Sequence, residues 1–215
     1  MWLYGFAKVV LGAGYRLAYR IRAEGQEHIP PTGGVILCGN HINAQDPIVI
    51  GLASPRPVCF MAKEELFRSQ LLGFIIRGLG AFPVKRGSAD RAALKHALAL
   101  LEAGRCFGIF PEGTRSRTGE LQKPEHGTAY IALKSGVPVI PVGIAGSYRL
   151  FSPIRVRFGP PVDLERFRGG KLNGETLEAA SQAIAEAIAD LLNPPSNEMP
   201  SVRKRSPAGQ ALSFW

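Results

Sequence analysis

What this chain of 215 residues lacks narrows its identity before any motif is read. It has only three cysteines, Cys38, Cys59 and Cys106, each inside an apolar run and without C-x-x-C spacing. An odd count placed in this way excludes a disulfide framework and reads as buried core thiols in a reducing cytoplasm. The four histidines, His28, His41, His96 and His126, are scattered without ligand spacing, so no metal is expected, and no other cofactor. Aromatic residues are 8% of the chain and do not interleave with basic clusters. That excludes a base-stacking platform, and no nucleic-acid partner is expected. No uninterrupted apolar run reaches the roughly eighteen residues that a spanning helix needs. There is no small-residue cleavage site after a compact apolar core, so no signal peptide is expected. A G-x-S-x-G elbow, a P-loop, a G-x-G-x-x-G after a strand and internal repeats are all missing.

What is present describes one globular domain of ordinary size. Hydrophobic residues are 46% and charged residues 20%, with 17 prolines and 25 glycines for many turns. The net charge of +9 calls for an anionic partner: nucleic acid, a phospholipid surface or a phosphorylated substrate. Residues 1–25 are apolar with Lys8, Arg16 and Arg20 spaced among Trp2, Leu3, Phe6, Val9, Val10 and Leu17. This pattern suits an amphipathic helix lying in a membrane interface, with packing on the domain's own core as the alternative. A second apolar stretch, residues 66–82, has Leu71, Leu72, Phe74, Ile75 and Ile76 too continuous for a solvated helix face. It is expected to be buried or to face lipid, with Arg68 and Arg77 reaching toward headgroups.

Strands are expected at 34–40, 57–62, 81–86, 106–110, 137–144 and 154–159, with Pro83 confining the third to an edge or bulge. Helices are expected between them: one capped by Ser88 and running to Gly104, one over 127–136 and one over 175–192. Alternation of this kind predicts an α/β domain, a mixed and largely parallel sheet flanked by helices, over residues 26–193. Residues 194–215, with Pro, Ser and the basic cluster 203–205, read as a disordered basic tail.

Chemistry concentrates where the first of those strands ends, at Asn40-His41-Ile42-Asn43-Ala44-Gln45-Asp46-Pro47. Asp46 reads as the cap of a helix with Pro47 in its first turn. A carboxylate against one nitrogen of His41 would fix its tautomer and raise the basicity of the other, the requirement for a general base. The strand 106–110 delivers a second group, Phe110-Pro111-Glu112-Gly113-Thr114-Arg115-Ser116-Arg117. Glu112 can accept from a polyol, Gly113 admits substrate to the backbone, and Arg115 offers a planar fork suited to phosphate.

Together the two segments resemble the glycerolipid acyltransferase family, typified by 1-acyl-glycerol-3-phosphate (lysophosphatidic acid) acyltransferases. Its N-H-x-x-x-x-D box matches residues 40–46 and its F-P-E-G-T-R-S box matches 110–116. Two further blocks match at Gly80-Ala81-Phe82-Pro83-Val84-Lys85-Arg86 and at Val137 to Val142, in the family's order, over residues 26–160. The chain departs from the family at Pro83 and Lys85, and at Lys123-Pro124-Glu125-His126-Gly127, where relatives often carry a basic pair.

The resemblance implies an enzyme of phospholipid biosynthesis that moves a fatty acyl group from acyl-CoA or acyl-carrier protein to the sn-2 hydroxyl of lysophosphatidic acid, giving phosphatidic acid. It implies His41 as base, Asp46 as its orienter, and Arg86, Glu112, Gly113, Thr114 and Arg115 as binders of the acceptor's phosphate and glycerol. Lys63 is a candidate oxyanion donor. The expected place of work is the cytoplasmic face of the cell membrane, as a peripheral or monotopic protein. Alternatives are another acceptor, such as glycerol 3-phosphate or a different lysolipid, and a lipid or thioester hydrolase using Cys38. An apolar tunnel for the acyl chain is expected beneath residues 66–82 or the first helix.

Overall fold

The computed structural model describes residues 2–85 and 90–193. Its seven-stranded sheet comprises β1 (Arg20–Glu24), β2 (Val35–Gly39), β3 (Val58–Lys63), β4 (Phe82–Val84), β5 (Cys106–Ile109), β6 (Val139–Gly146) and β7 (Pro153–Phe158). The order across the sheet is β1-β7-β6-β2-β5-β3-β4. Only the β6–β7 pair is antiparallel; the other neighbours run parallel. This is the mixed, largely parallel α/β architecture that the alternation of elements predicts.

Both faces of the sheet are covered, which explains why β2 reads as an unbroken apolar run. Val35 and Leu37 enter one core layer with Val49 and Ile50 of α2 (Asp46–Ala53). Ile36 and Cys38 enter the other, against α4 (Arg91–Glu102), α5 (His126–Ser135) and α6 (Gly174–Leu192). Ala97, Leu101, Ile131, Ile184 and Ile188 fill that second layer and are all but inaccessible to water. α1 (Trp2–Ala18) lies on the first side, where the Tyr15 ring packs on the core.

Three local expectations are corrected. Residues 20–24, read from the sequence as the end of the N-terminal segment, form β1 and pair with β7 from Arg20↔Pro153 to Glu24↔Arg157. Ile21 and Ala23 turn toward the core while the charged residues between them face outward, a period-two signal too short to stand out beside α1. α4 is capped by Asp90, whose side chain accepts from the Ala93 amide, rather than by Ser88, which lies outside the described residues. Asp46 is the first residue of α2, not its cap, and its carboxylate turns back to the preceding loop. β4 sits at the sheet edge, as Pro83 requires. Residues 194–215 lie outside the described set.

Parallel strands end on the same side, so the loops after β2, β3, β5 and β6 gather at one sheet edge. Gly108 controls the centre of that region. A methyl group there would sit 2.2 Å from the Phe60 ring, which stacks on Phe110. Gly108→Ala is therefore expected to destabilise the fold by about 1–3 kcal/mol, measured by chemical denaturation.

Candidate active site

The residues after β2 are fixed before any side chain becomes available for chemistry. Asn40 extends the β2–β6 ladder through its side chain, donating from Nδ2 to the Ile144 carbonyl and accepting from the Ile144 amide at 2.7 Å. The carboxamide imitates a backbone peptide, so the strand stays paired while the main chain turns away. His41 follows at the turn. Its amide donates to Glu112 Oε1 at 2.7 Å, and its carbonyl accepts from the Ser116 amide at 2.8 Å. The loop after β5 thus holds the backbone of His41 on both sides.

The imidazole is held just as firmly. Nδ1 lies 2.8 Å from Asp46 Oδ2, and the ring stacks on Phe110 with 4.0 Å between centroids and 15° between planes. Asp46 is wholly buried and collects further donors, the Ile42 and Asn43 amides on Oδ2 and the Tyr148 hydroxyl on Oδ1. These donors replace the water that the buried carboxylate has lost, and Oδ2 is placed to accept from His41 Nδ1. Nε2 is then the acceptor nitrogen, and among the described residues it has no hydrogen-bond partner.

Glu112 is engaged by the protein's own backbone. It is buried, and its two oxygens accept from the amides of His41 and Gln122, so it ties two loops together. Burial raises its pKa, opposed by those two amides and by the neighbouring imidazole. Gly113 adopts a left-handed conformation, φ 63°, which lets the chain turn from buried Glu112 to exposed Thr114 and Arg115.

A cavity opens beside His41, lined by Met61, Lys85, Phe110, Gly113, Thr114 and Glu125 among others. Of the expected site residues it brings together His41, Gly113 and Thr114. Arg115 is exposed and outside this lining, and Arg86 lies outside the described residues. Lys63 is exposed at the end of β3 and lines neither this cavity nor the apolar one described next. The lining residue Lys85, the next in chain after β4, supplies a cation.

A second cavity, apolar and of about 240 Å³, is lined by Ala44 and Pro47. It runs between α1, α2, β3 and α3 (Gln70–Gly78), with Leu11, Ile48, Leu52, Phe60 and Ile76 among its walls. Both segments expected to roof such a space do so.

Tyr148 is the site residue that the sequence did not reveal. It lies 102 positions from Asp46, in a connection with no motif of its own. Burial and the adjacent Asp46 carboxylate raise its pKa, so it remains a donor throughout the working pH range. The three thiols are inert for a related reason. Each is buried, and burial pushes Cys38 and Cys59 upward and Cys106 up to about 12.

Two outcomes follow from this geometry. Glu112→Ala leaves two loop amides without their acceptor and is expected to lower stability by about 2 kcal/mol or more in denaturant unfolding. The native protein is expected to resist iodoacetamide at neutral pH, because raised thiol pKa values withhold the thiolate. Intact mass measurement before and after denaturation reads this directly.

Comparison with known proteins accords with this arrangement. The sequence profile of the acyltransferase family matches residues 20–145. A 1-acyl-sn-glycerol-3-phosphate acyltransferase of Borreliella burgdorferi is 34% identical over 61% of this chain and 54% of its own length. One of Bacillus subtilis is 28% identical over 89% of this chain and 98% of its own. The chain thus spans about half the length of the first relative and nearly all of the second. The crystal structure of the 1-acyl-sn-glycerophosphate (LPA) acyltransferase PlsC from Thermotoga maritima superposes with a TM-score of 0.64 at 29% identity. That match covers 88% of this chain and 78% of the other. With the family profile spanning most of the sheet, the dyad loop and the loop after β5, the chain belongs to the acyltransferase family.

Proposed function

We propose that the protein moves a fatty acyl group from a thioester donor, acyl-CoA or acyl-carrier protein, to the sn-2 hydroxyl of 1-acyl-glycerol-3-phosphate. The observation that carries this reading is the 2.8 Å contact of His41 Nδ1 with buried Asp46, beside a cavity that holds Lys85 and Thr114. Nε2 takes the proton of the acceptor hydroxyl as its oxygen attacks the thioester carbonyl. The tetrahedral intermediate collapses, the carbon–sulfur bond breaks, and the imidazolium returns the proton to the departing thiolate. No covalent enzyme intermediate is needed, in keeping with buried Cys38, Cys59 and Cys106.

The two cavities divide the substrates. Lys85, with Arg86 next to it in sequence and Arg115 next to Thr114, provides positive charge for the acceptor phosphate, while Gly113 and the Thr114 hydroxyl face its glycerol. Glu112 acts through His41, by holding its backbone, and not by touching the acceptor. The apolar cavity beside Ala44 and Pro47 takes the acyl chain.

Both substrates carry long apolar chains, so the site must open at a lipid surface. No helix among the described residues is long and apolar enough to cross a membrane. α1 and α3 instead leave Val9, Val10, Leu71, Phe74 and Ile75 exposed, with basic residues among them. These faces lie against the cytoplasmic leaflet as a peripheral attachment.

Purified protein given acyl-CoA or acyl-carrier-protein donors and a panel of acceptors is expected to form phosphatidic acid from lysophosphatidic acid in preference to acylating glycerol 3-phosphate. His41→Ala is expected to abolish product. Asp46→Asn, which presents the wrong group to Nδ1, should reduce kcat by about 10²–10⁴-fold with the fold retained. Undiminished turnover by a folded His41→Ala protein would sink the mechanism.

A further inference from the structure

We propose that the tip of the β6–β7 connection, Leu150 and Phe151 together with Leu17 at the end of α1, inserts into an anionic phospholipid bilayer beside the reacting groups. This inference rests on the acyltransferase reading above and adds to it a contact separate from Val9 and Val10 of α1 and from the face of α3.

Three features converge there. The first is exposure of large apolar side chains: Leu17 is 77% exposed, Leu150 64% and Phe151 65%. The second is backbone conformation. Phe151 has φ 63°, the only positive φ of a residue other than glycine among the described residues. A bulky side chain disfavours that region, and asparagine or glycine would occupy it more easily. The turn is nonetheless held, because the Phe151 amide donates to the Ala18 carbonyl and the Ser152 amide to that of Arg149. A strained residue whose ring makes no use of the core points to a use outside the molecule.

The third feature is charge. Between Glu125 and Asp163 the sequence has no acidic residue, while Arg149, Arg155 and Arg157 all lie there. Arg155 and Arg157 are matched by Glu24. Arg149, beside the tip, and Arg20, whose amide donates to the Ser152 carbonyl, are exposed and make no ion pair with the described residues. An apolar point between unmatched guanidiniums is complementary to an anionic leaflet, where hydrocarbon lies beneath phosphate.

The tip also stands at the catalytic edge of the sheet. Tyr148, two residues before Leu150, donates to Asp46 and sets its ring edge-on to Tyr19 at 6.0 Å. Insertion at this point would hold the mouth of the site against the surface in which the lysolipid resides.

The test is co-flotation with vesicles of phosphatidylcholine and phosphatidylglycerol, using wild type and the double variant Leu150→Ser, Phe151→Asn. Asparagine suits the left-handed conformation, so thermal unfolding of the variant should occur at the wild-type temperature or above. Vesicle partitioning of the variant is expected to fall about tenfold or more. Turnover of vesicle-embedded acceptor should fall with it, and turnover of a water-soluble short-chain acceptor should not change. Unchanged partitioning by the folded variant, or an equal loss on the soluble acceptor, overturns the proposal, as does a wild-type protein that ignores vesicles. A wild type that binds vesicles through the tip yet turns over no acceptor would support this contact and overturn the acyltransferase reading instead.

Discussion

Everything at this site depends on how the main chain of His41 is held. Its amide and carbonyl are both engaged by the loop after β5, and its ring is fixed by Asp46 on one side and Phe110 beneath. A base must reach one proton in one direction, and an error of an ångström or so costs rate heavily. Four constraints from two segments, the loop after β5 and the start of α2, remove the rotational freedom that a loop histidine otherwise has. The N-H-x-x-x-x-D and F-P-E-G-T-R-S segments are thus one mechanical unit, joined through Glu112 and Ser116.

The same unit accounts for the interior charges. Asp46 is buried without a cation of fixed charge among its hydrogen-bond partners, and four donors replace the water it has lost: His41 Nδ1, two loop amides and Tyr148. Glu112 follows the same rule with two amides. Each carboxylate therefore stabilises a loop and shapes the site at once. Asn40 adds the final support by continuing the ladder to β6, so the turn begins from a fully paired strand.

Much of this was legible in one dimension. The strand β2 was plain from its apolar run, the Gly136 helix stop from turn chemistry, and the edge position of β4 from Pro83. The His41–Asp46 pairing was legible because five residues of loop and helix start leave few ways to place the two side chains. β1 was hidden because five residues with alternating charge follow a long amphipathic helix that dominates any window around them. The cap of α4 was missed because Ser88 and Asp90 offer the same chemistry two positions apart, and only the fold chooses between them.

The sequence by itself determined the fold class and the proximity of His41 to Asp46, because each depends on local pattern or on residue type. Tertiary structure decided what depends on distant segments meeting. It turned Glu112 inward to hold His41, placed Lys85 rather than Lys63 at the cavity, and brought Tyr148 across 102 positions to Asp46. A carboxylate or a phenol carries no mark in the chain of which partner it will meet. Its role is fixed only when parallel strands bring their ends to one edge of the sheet.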